Sequence, residues 1–476
     1  MKDLDERSDC VFLGGAFHAG GGNLLQAVAP ATGEPFAEFS AARIQDVDKA
    51  ARQAEAAFAA WRKSDVATRA GYLRGFARGL TVRRDALIHL QMRNNGKPMF
   101  EAGIDLDDAI ACFSYYADLI ESGALDQKGM ELPGGLTGRQ TREPYGPAAL
   151  IVPWNFPMVT TAWKLAPALA VGCTAVLKPS EFTTLAELVY GDIAQEIGLP
   201  EGVLAILPGL GNIGAAMIAQ PGIRKVSFTG STHTGASVMH AAASRVLPIS
   251  LELGGKSPVL VLEDADIEKA AEIVCGGIFF NAGQMCSATG RLIAMEAIAD
   301  DLIDAIRRRI DAMVVGDSLV GEVDMGPLTT KPQRDKVLGY LAAARDEGLT
   351  FLTGGAATGD VGYFVEPTVL LDVPEGSRLW TEEIFGPVLC VRRAQTVQEA
   401  LRLANATDFG LAASVVGGAG AHSVAEGIDA GHVWVNTGQI IYPQTSWGGF
   451  KASGIGRELG QGGLLSYCAT KHMTLA

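Results

Sequence analysis

The sequence predicts an α/β protein that contains two parallel-sheet domains. From residue 148 onward, short apolar runs alternate with helical stretches of about ten to fifteen residues. A second alternating section of the same kind begins near residue 257. Such alternation is typical of parallel strands covered by helices. The length of 476 residues also exceeds what one hydrophobic core usually holds, so at least two domains are expected.

The individual elements follow from local patterns. Residues 46–80 carry alanines and apolar side chains at helical spacing, which predicts two helices. In the first α/β section the predicted strands are 148–152, 174–178, 204–207 and 225–228. In the second section we predict a strand at 257–262 and helices at 267–280 and 300–314.

Composition excludes several classes of function. The formal net charge of -14 would repel nucleic acid and anionic membranes, so neither is expected as a partner. Seven scattered cysteines without paired spacing indicate a reducing compartment, with no disulfide framework and no metal site. The first residues lack the apolar core of a signal peptide, and longer apolar stretches are interrupted. We therefore expect a cytoplasmic protein.

A candidate nucleophile and a candidate base lie in two glycine-containing turns. Cys286 ends the polar segment 281–286, and Glu252 ends a strand-like run just before two glycines. A thiolate is a strong nucleophile, and catalytic groups often lie at strand ends. None of the seven histidines falls in either segment, so no local signature indicates a cysteine–histidine pair. The alternatives are a buried small hydrophobe for Cys286 and a surface carboxylate for Glu252.

Two segments are candidates for nucleotide binding. Residues 209–214 match a glycine-rich dinucleotide fingerprint. However, residues 215–251 contain no acid that could hold a ribose, so we interpret 209–214 as a strand-to-helix turn. Lys178 and Glu181 follow a strand and could hydrogen-bond two ribose hydroxyls; an ordinary surface ion pair is the alternative. Ser231, at a predicted helix start, could meet pyrophosphate or simply cap the helix.

Six motifs occur in an order that resembles the aldehyde dehydrogenase superfamily, over the chain from about Gly33 to the C-terminus. They are 151–157, 177–181, 228–231, 251–258, 283–286 and 382–387. Within that superfamily the chain looks most similar to betaine aldehyde and aminoaldehyde dehydrogenases. That closer match rests on residues 161–164, 286–289, 388–391 and 434–439, and on Trp447-Gly-Gly.

The resemblance implies a domain plan and an activity. It implies a Rossmann-like NAD-binding domain at 1–121 and 145–252, and a catalytic domain at 253–440. A small β oligomerisation flap is implied at 122–144 and 458–476. The implied reaction is NAD-dependent oxidation of an aldehyde to a carboxylic acid through a cysteine thiohemiacetal and a thioester. The implied assembly is a homo-oligomer, either a dimer or a tetramer.

Residue roles follow from the matched positions. Cys286 is the implied nucleophile, Glu252 the base for water, and the Asn155 side-chain amide with the Cys286 backbone amide the oxyanion donors. Lys178 is included with these catalytic positions. We expect burial to raise the pKa of Glu252. The carboxylate of Glu181 should repel a 2′-phosphate and favour NAD over NADP. The implied cofactor-binding residues are Ile151, Trp154, Lys178, Ser180, Glu181, Gly209, Gly230, Ser231, Leu253, Glu383 and Phe385.

For the substrate, the resemblance implies an amino- or trimethylammonium-aldehyde. Asp105 and Asp108 share a helix face near the implied entrance and could attract an amine, or could be a solvated helix face. Aromatic residues suited to an ammonium group, or to core packing, complete the implied pocket: Phe156, Trp163, Phe280, Tyr442 and Trp447.

Two departures from the relatives bear on this prediction. His432 stands where relatives carry a smaller or apolar residue. Gln461 stands where many carry a second glutamate of a proton relay, so we expect the relay to be incomplete or routed otherwise. The alternatives are a dehydrogenase for neutral aldehydes, a cysteine esterase, and a non-catalytic structural protein on the same fold.

Overall fold

The computed structural model describes residues 9–476, and within them the predicted α/β architecture is confirmed. The first part of the chain forms β1 (Val11–Leu13), β2 (Ala16–His18), β3 (Leu24–Ala29), β4 (Glu34–Ser40), α1 (Ile44–Trp61), α2 (Val66–Val82), α3 (Arg84–Asn94), α4 (Met99–Glu121), β5 (Lys128–Leu132) and β6 (Leu136–Pro144). The two helices predicted over 46–80 are α1 and α2. They are separated where Asp65 accepts a hydrogen bond from the Thr68 backbone N–H and so begins α2.

The first alternating section contains the strands predicted from its apolar runs. It comprises β7 (Ala148–Ile151), α5 (Pro157–Val171), β8 (Ala175–Lys178), α6 (Thr184–Glu187), α7 (Val189–Glu196), β9 (Leu204–Ile206), α8 (Gly211–Ala219), β10 (Lys225–Thr229), α9 (Thr232–Ala243) and β11 (Ile249–Glu252). Segment 209–214 runs from a loop into α8, as the strand-to-helix interpretation predicts.

The second section completes the chain. It comprises β12 (Pro258–Val261), α10 (Ile267–Phe279), β13 (Arg291–Met295), α11 (Ala299–Asp311), α12 (Lys331–Asp346), β14 (Thr350–Thr353), β15 (Thr368–Leu371), α13 (Arg378–Thr381), β16 (Val388–Ala394), α14 (Val397–Asn405), β17 (Phe409–Gly410), β18 (Ala412–Val416), α15 (Ala421–Glu426), β19 (His432–Val435), β20 (Phe450–Lys451), β21 (Gly454–Ile455), α16 (Gly460–Leu465) and β22 (Cys468–Leu475).

Two large sheets organise these elements. The eight-stranded sheet has the order β2-β1-β9-β8-β7-β10-β11-β21, and its five central strands are parallel. Its outer strands β1 and β21 pair antiparallel with their neighbours, which the sequence did not predict. The seven-stranded sheet has the order β14-β15-β16-β13-β12-β18-β19 and is parallel except for β14.

Helix α5 lies in the centre of the first domain, because all 15 of its residues are buried. It packs against α2, α4 and α16, and its first turn follows directly from the loop after β7. The first turn of a helix that starts beside a sheet edge is a common place for a site. Within residues 9–476, no helix is both long and apolar enough to cross a bilayer.

The segments predicted to form an oligomerisation flap contain a separate antiparallel sheet of order β22-β6-β5. Eight residue pairs join β22 to β6, from Cys468 opposite Pro144 to Leu475 opposite Thr137. Not all of 458–476 belongs to this sheet. Residues 458–467 contain α16 and pack into the first core, where Leu464 and Tyr467 are buried.

Candidate active site

A cavity of about 670 Å³ lies where the ends of β7, β10 and β11 face the turn that contains Cys286. The loop after β7 supplies Asn155, the loop after β10 supplies Ser231, and β11 supplies Glu252. Because parallel strands end at the same edge of a sheet, residues far apart in sequence meet here. The predicted nucleophile, base and amide therefore border one space.

The turn before Cys286 has an uncommon backbone. Asn281, Ala282 and Gly283 are consecutive residues with φ of 50°, 51° and 73°. Left-handed conformations of non-glycine residues cost energy and persist only when neighbouring groups hold them. A Cβ on Gly283 would lie 2.1 Å from the Gly386 carbonyl oxygen, so only glycine fits there. The Gln284 side chain closes the turn, because it donates to the Asn281 carbonyl and accepts from the Thr329 N–H.

The surroundings of Cys286 favour its neutral thiol over the thiolate. Burial raises its pKa well above the ordinary value, and the negative charges of Glu252 and Glu383 raise it further. The backbone N–H groups of Ser287 and of Cys286 itself act in the opposite direction. Since the thiolate is the reactive form, attack by Cys286 requires a base that takes the proton.

Glu252, the predicted base for water, borders the same cavity as Cys286. It is the last residue of β11, it is buried, and its carboxylate accepts a hydrogen bond of 3.0 Å from the Trp447 indole N–H. Burial raises the pKa of Glu252 to about 8, and the nearby charge of Glu458 adds to the rise. The expected rise is confirmed. A carboxyl group with this pKa can exchange protons near neutral pH.

Behind Glu252 lies a buried ion pair that the sequence analysis missed. Lys164 of α5 bonds the Glu458 carboxylate and also donates to the Thr229 hydroxyl at 2.7 Å. The prediction from Gln461 was a relay that is incomplete or routed otherwise. Gln461 is exposed and does not border the cavity, whereas Glu458, three residues earlier, supplies the second buried carboxylate. The available signal was Lys164, a lone charge in an otherwise apolar helix.

Asn155 connects the loop after β7 to the turn that contains the thiol. Its side-chain amide donates to the Gln284 carbonyl at 3.0 Å, and the Asn281 amide donates to the Asn155 carbonyl at 3.1 Å. A side-chain amide has two N–H donors, so the second remains for an oxygen bound in the cavity. This arrangement suits stabilisation of an oxyanion formed next to Cys286.

The candidate ribose-binding residues lie beside the cavity and do not border it. Ile151 and Lys178 are paired neighbours at the ends of β7 and β8. The Lys178 ammonium donates to the Pro179 carbonyl at 2.8 Å and lies 3.5 Å from the Glu181 carboxylate. Helix α8 begins close by, because a Cβ on Gly214 would lie 3.5 Å from Lys178 Cδ. Ser180 and Gly209, both buried, belong to the same region.

The other candidate cofactor residues do border the cavity. They are Trp154, Gly230, Ser231, Leu253, Glu383 and Phe385. Ser231 caps α9 by accepting from the Thr234 N–H, so the capping alternative is also realised. Burial raises the pKa of Glu383, which accepts a hydrogen bond of 3.1 Å from the Gly255 N–H. Phe385 has φ of 58° and meets Trp154 edge-on at 5.5 Å.

Three of the predicted aromatic residues border the cavity, and two do not. Phe156, Trp163 and Phe280 are part of its wall. Trp447 is fully buried behind Trp163, at 6.0 Å between ring centroids, and its indole N–H faces Glu252. Tyr442 is 56% exposed and lies outside the cavity. The predicted pocket positions of Trp447 and Tyr442 are therefore wrong in this structure; Ile440 and Ile441 border the cavity instead.

The predicted pair of entrance acids behaves as two unlike groups. Asp105 is 1% exposed, binds the Lys97 ammonium at 3.0 Å and accepts from the Val159 N–H at 2.9 Å, so its charge is compensated. Asp108 is half-buried, and burial raises its pKa to about 7, with a further contribution from Asp105. The interpretation as a free pair on one exposed face is therefore wrong for Asp105. Lys97 was not predicted as the partner of Asp105, because it precedes α4 in a loop.

His432 does not enter the cavity. Its ring packs against Trp434 at 4.5 Å and Trp447 at 5.5 Å between centroids, and burial lowers its pKa. The His432 ring therefore lies in the layer of side chains behind the cavity wall. Within the described range 9–476, no cluster of three or more histidine, cysteine or acidic side chains could hold a metal ion.

Comparison with known proteins agrees with this geometry. Residues 17–473 match the aldehyde dehydrogenase family, and the chain belongs to that family. Aminoaldehyde dehydrogenase 2, peroxisomal, from Pisum sativum is 44% identical over 462 residues, which cover 94% of this chain and 92% of that protein. Betaine aldehyde dehydrogenase 1 from Oryza sativa subsp. japonica is 42% identical over 479 residues, or 98% and 94% of the two chains.

Solved structures show the same fold. An aldehyde dehydrogenase from Bacillus cereus in complex with NAD⁺ superimposes with a TM-score of 0.96 at 36% identity, covering 98% of this chain and 96% of that one. A betaine aldehyde dehydrogenase from Staphylococcus aureus in complex with NAD⁺ gives 0.95 at 34% identity, covering 98% and 94%. The predicted class of enzyme, an aldehyde-oxidising oxidoreductase, is confirmed.

Proposed function

We propose that this protein oxidises aldehydes that carry an amino or trimethylammonium group to carboxylic acids, with NAD as the electron acceptor. The observation that supports the chemistry is the single cavity bordered by Cys286, Glu252 and Asn155. The names of its similar relatives support the substrate class, since they include aminoaldehyde and betaine aldehyde dehydrogenases.

The residues around the strand ends fit NAD. Lys178 and Glu181 offer a donor and an acceptor to the two hydroxyls of the adenosine ribose. Ser231 at the start of α9 faces the cavity, where a helix N-terminus favours pyrophosphate. Glu383 and Phe385 would hold the nicotinamide ribose and ring. When bound, NAD accepts the hydride from the carbon attached to sulfur.

In the first half of the proposed reaction, the Cys286 thiol gives its proton to a water molecule in the cavity, and the sulfur bonds to the aldehyde carbon. The carbonyl oxygen becomes negative and receives hydrogen bonds from the Asn155 side chain and the Cys286 backbone N–H. Fixed donors of this kind cost no reorganisation when the charge forms. The same donors assist when the oxyanion collapses and hydride leaves, which yields a thioester on Cys286.

In the second half, Glu252 removes a proton from a water molecule, and the resulting oxygen attacks the thioester carbon. The carbon–sulfur bond breaks, and the acid leaves while Cys286 regains a thiol or thiolate. Because Glu252 is nearly excluded from solvent, each proton that it accepts has to pass onward. The buried pair of Lys164 and Glu458 lies next to it on the side away from the cavity.

Recognition of an ammonium group is assigned to Asp108 and Trp163. Both border the cavity, and Asp108 has no ion-pair partner among the described residues, in contrast to Asp105. A cation can thus gain a carboxylate and an aromatic face together. Apolar residues such as Phe280 and Ile441 fill the rest of the wall, which suits the aliphatic chain between amine and aldehyde.

We also propose a homo-oligomer, a dimer or a tetramer, in the cytoplasm. The small sheet β22-β6-β5 has mostly exposed strands, and exposed strand edges favour pairing with another chain. The cysteines at 112, 173, 275, 286, 390 and 468 carry free thiols, which fits a reducing compartment. Several relatives carry the words peroxisomal or chloroplastic in their names. Sedimentation analysis and imaging of a tagged protein test these two points.

The test of function is NADH formation at 340 nm with a panel of aldehydes, in the parent and in Cys286→Ala. We expect betaine aldehyde and 4-aminobutyraldehyde to be oxidised faster than pentanal, and Cys286→Ala to be inactive. Preference for pentanal would leave a dehydrogenase of neutral aldehydes. Hydrolysis of 4-nitrophenyl acetate without any NADH formation would indicate an esterase, and inactivity in both assays would indicate a structural protein.

A further inference from the structure

Two buried carboxylates lie one turn apart near the start of helix α4. Glu101 and Asp105 are 0% and 1% exposed, and their side chains point to the same side of the helix, as positions four apart do. The described structure gives each of them a backbone N–H donor from a different part of the active site. Burial of two acids is costly unless such partners compensate it.

Glu101 holds the turn that precedes the nucleophile. Its Oε1 accepts a hydrogen bond of 2.9 Å from the Asn281 N–H. Asn281 is the first of the three left-handed residues before Cys286, so this bond acts where the backbone is strained. Burial raises the pKa of Glu101 to about 8, and the other carboxylate oxygen has no protein partner. The bond to Asn281 is thus the main contact of this carboxylate.

Asp105 holds the segment that contains the predicted oxyanion donor. Its Oδ1 accepts from the Val159 N–H in the first turn of α5, where helix N–H groups lack internal partners. That turn follows directly after Asn155 and Phe156. Lys97 binds the other oxygen, Oδ2, at 3.0 Å and also lies 4.2 Å above the Phe156 ring. Both oxygens of Asp105 are therefore engaged within the protein.

We propose that Glu101 and Asp105 are positioning residues, which together set the separation between the Asn155 amide and the Cys286 thiol. Helix α4 acts as the rigid spacer between the two anchored segments. This inference rests on the proposed function. Under this inference Asp105 does not bind the substrate; Asp105 and Glu101 instead fix the positions of the groups that bind the oxyanion.

The two segments are also joined directly to each other at the cavity. The Asn281 side chain donates to the Asn155 carbonyl, and the Asn155 side chain donates to the Gln284 carbonyl. These bonds fix the segments relative to each other at the cavity, while Glu101 and Asp105 fix each of them to α4. A displacement of about 1 Å at a reacting group can cost about 100-fold in rate.

The experiment compares Glu101→Leu, Glu101→Gln and a Lys97→Met, Asp105→Asn double variant. Leucine removes the acceptor for the Asn281 N–H, whereas glutamine keeps a carbonyl oxygen there. The double variant keeps an acceptor for the Val159 N–H and removes both charges. Asp107→Asn is the matched control, because Asp107 is on the same helix but is exposed and pairs with Arg84. Thermal melting establishes that each variant is folded.

We measure kcat and KM for 4-aminobutyraldehyde and for pentanal, and also hydrolysis of 4-nitrophenyl acetate, which needs the thiol and the oxyanion donors but no NAD. Glu101→Leu should lower kcat by about 10- to 100-fold for both aldehydes and lower ester hydrolysis to a similar extent, with KM nearly unchanged. Glu101→Gln should restore most of the rate. The double variant should keep the parent's ratio of kcat/KM between the two aldehydes.

The inference is overturned if Glu101→Leu keeps the parent kcat, or if glutamine is as damaging as leucine. It is also overturned if the double variant loses rate for 4-aminobutyraldehyde alone, since that would return Asp105 to recognition of the amine. Where Glu101→Leu does not fold, the double variant still decides. Failure of the proposed function is distinguishable, because then the parent forms no NADH while ester hydrolysis still reports on the two carboxylates.

Discussion

Replacement of Trp447 by phenylalanine should make Glu252 a weaker acid. The indole N–H donates to the Glu252 carboxylate at 3.0 Å, and this bond lowers a pKa that burial raises to about 8. A hydrogen bond to a charged group contributes about 1.5–3 kcal/mol, and one pKa unit corresponds to about 1.4 kcal/mol. Without the bond, the pKa should therefore rise by at least about one unit, to near 9 or above.

The effect on the rate of thioester hydrolysis should be largest at pH values below the pKa of Glu252. With a pKa of about 8, roughly a tenth of Glu252 is ionised at pH 7, and a rise of one unit leaves about a hundredth. Hydrolysis of the thioester at pH 7 should then slow by about 10-fold, whereas at high pH the two proteins should approach the same rate. Phenylalanine keeps an aromatic ring against Trp163, so packing changes least.

The assay is the steady rate that follows the first turnover, measured by rapid mixing from about pH 6 to about pH 10. Trp434→Phe is the matched control, because Trp434 packs on Trp447 at 6.0 Å but donates to the Ile440 carbonyl. An unchanged or lower apparent pKa in Trp447→Phe would refute the reasoning. So would an equal shift in the control variant, since packing alone would then explain the change.

Three further predictions test the other residues. Glu252→Gln should release about one NADH per active site in a burst and then stall at the thioester, as seen by rapid mixing; a slow first turnover without a burst would place Glu252 in thiol activation instead. Glu181→Gln should weaken the preference for NAD by relieving repulsion of a 2′-phosphate, on the order of one to a few kcal/mol, and equal use of NAD and NADP by the parent would contradict this. Asp108→Asn should lower kcat/KM for 4-aminobutyraldehyde but not for pentanal. Because the pKa of Asp108 is about 7, the parent's preference for 4-aminobutyraldehyde should be lost as the pH falls below that value. A preference independent of pH would exclude Asp108 from recognition of the ammonium group.

Salt should have little effect on the preference for cationic aldehydes that we assign to Asp108. An acid pair on an exposed helix acts at long range and is screened by ions. Asp108 is instead half-buried at the cavity wall, and its partner Asp105 is neutralised by Lys97. Screening is weak in such surroundings. We therefore expect most of the preference to remain at high ionic strength.

The fold could be predicted well from local sequence, because most strands are short apolar runs and most helices carry apolar residues at helical spacing. The strands at 148–152 and 225–228 are apolar runs that become buried central strands β7 and β10. The outer strands β1 and β21, which pair antiparallel with the central strands, are only three and two residues long, and such short segments have no distinctive pattern. Their place is set by pairing with distant strands.

The candidate site was predictable where a residue and its motif lie together. Cys286, Glu252 and Asn155 each belong to a short motif, and all three border the cavity. The partners of those residues were not predictable, because they come from other parts of the chain. Lys97 neutralises Asp105 from the loop before α4, and Trp447 reaches Glu252 across 195 positions of sequence. Helical spacing alone cannot show whether an acid is free or paired.

Strand β21 has a consequence for how the protein forms during synthesis. Gly454 of β21 pairs with Glu252, and a Cβ at Gly454 would lie 2.1 Å from the Leu251 carbonyl oxygen, so β21 closes tightly on the end of β11. Trp447 and Glu458, which surround the Glu252 carboxylate, lie in the same part of the chain. The ribosome synthesises the chain from its N-terminus, so β11 leaves the ribosome long before β21. Pairing of strands that are distant in sequence is also slow. Glu252 would therefore remain on an open sheet edge until residues 447–458 have left the ribosome, and a chain released before that point would lack the surroundings of the predicted base.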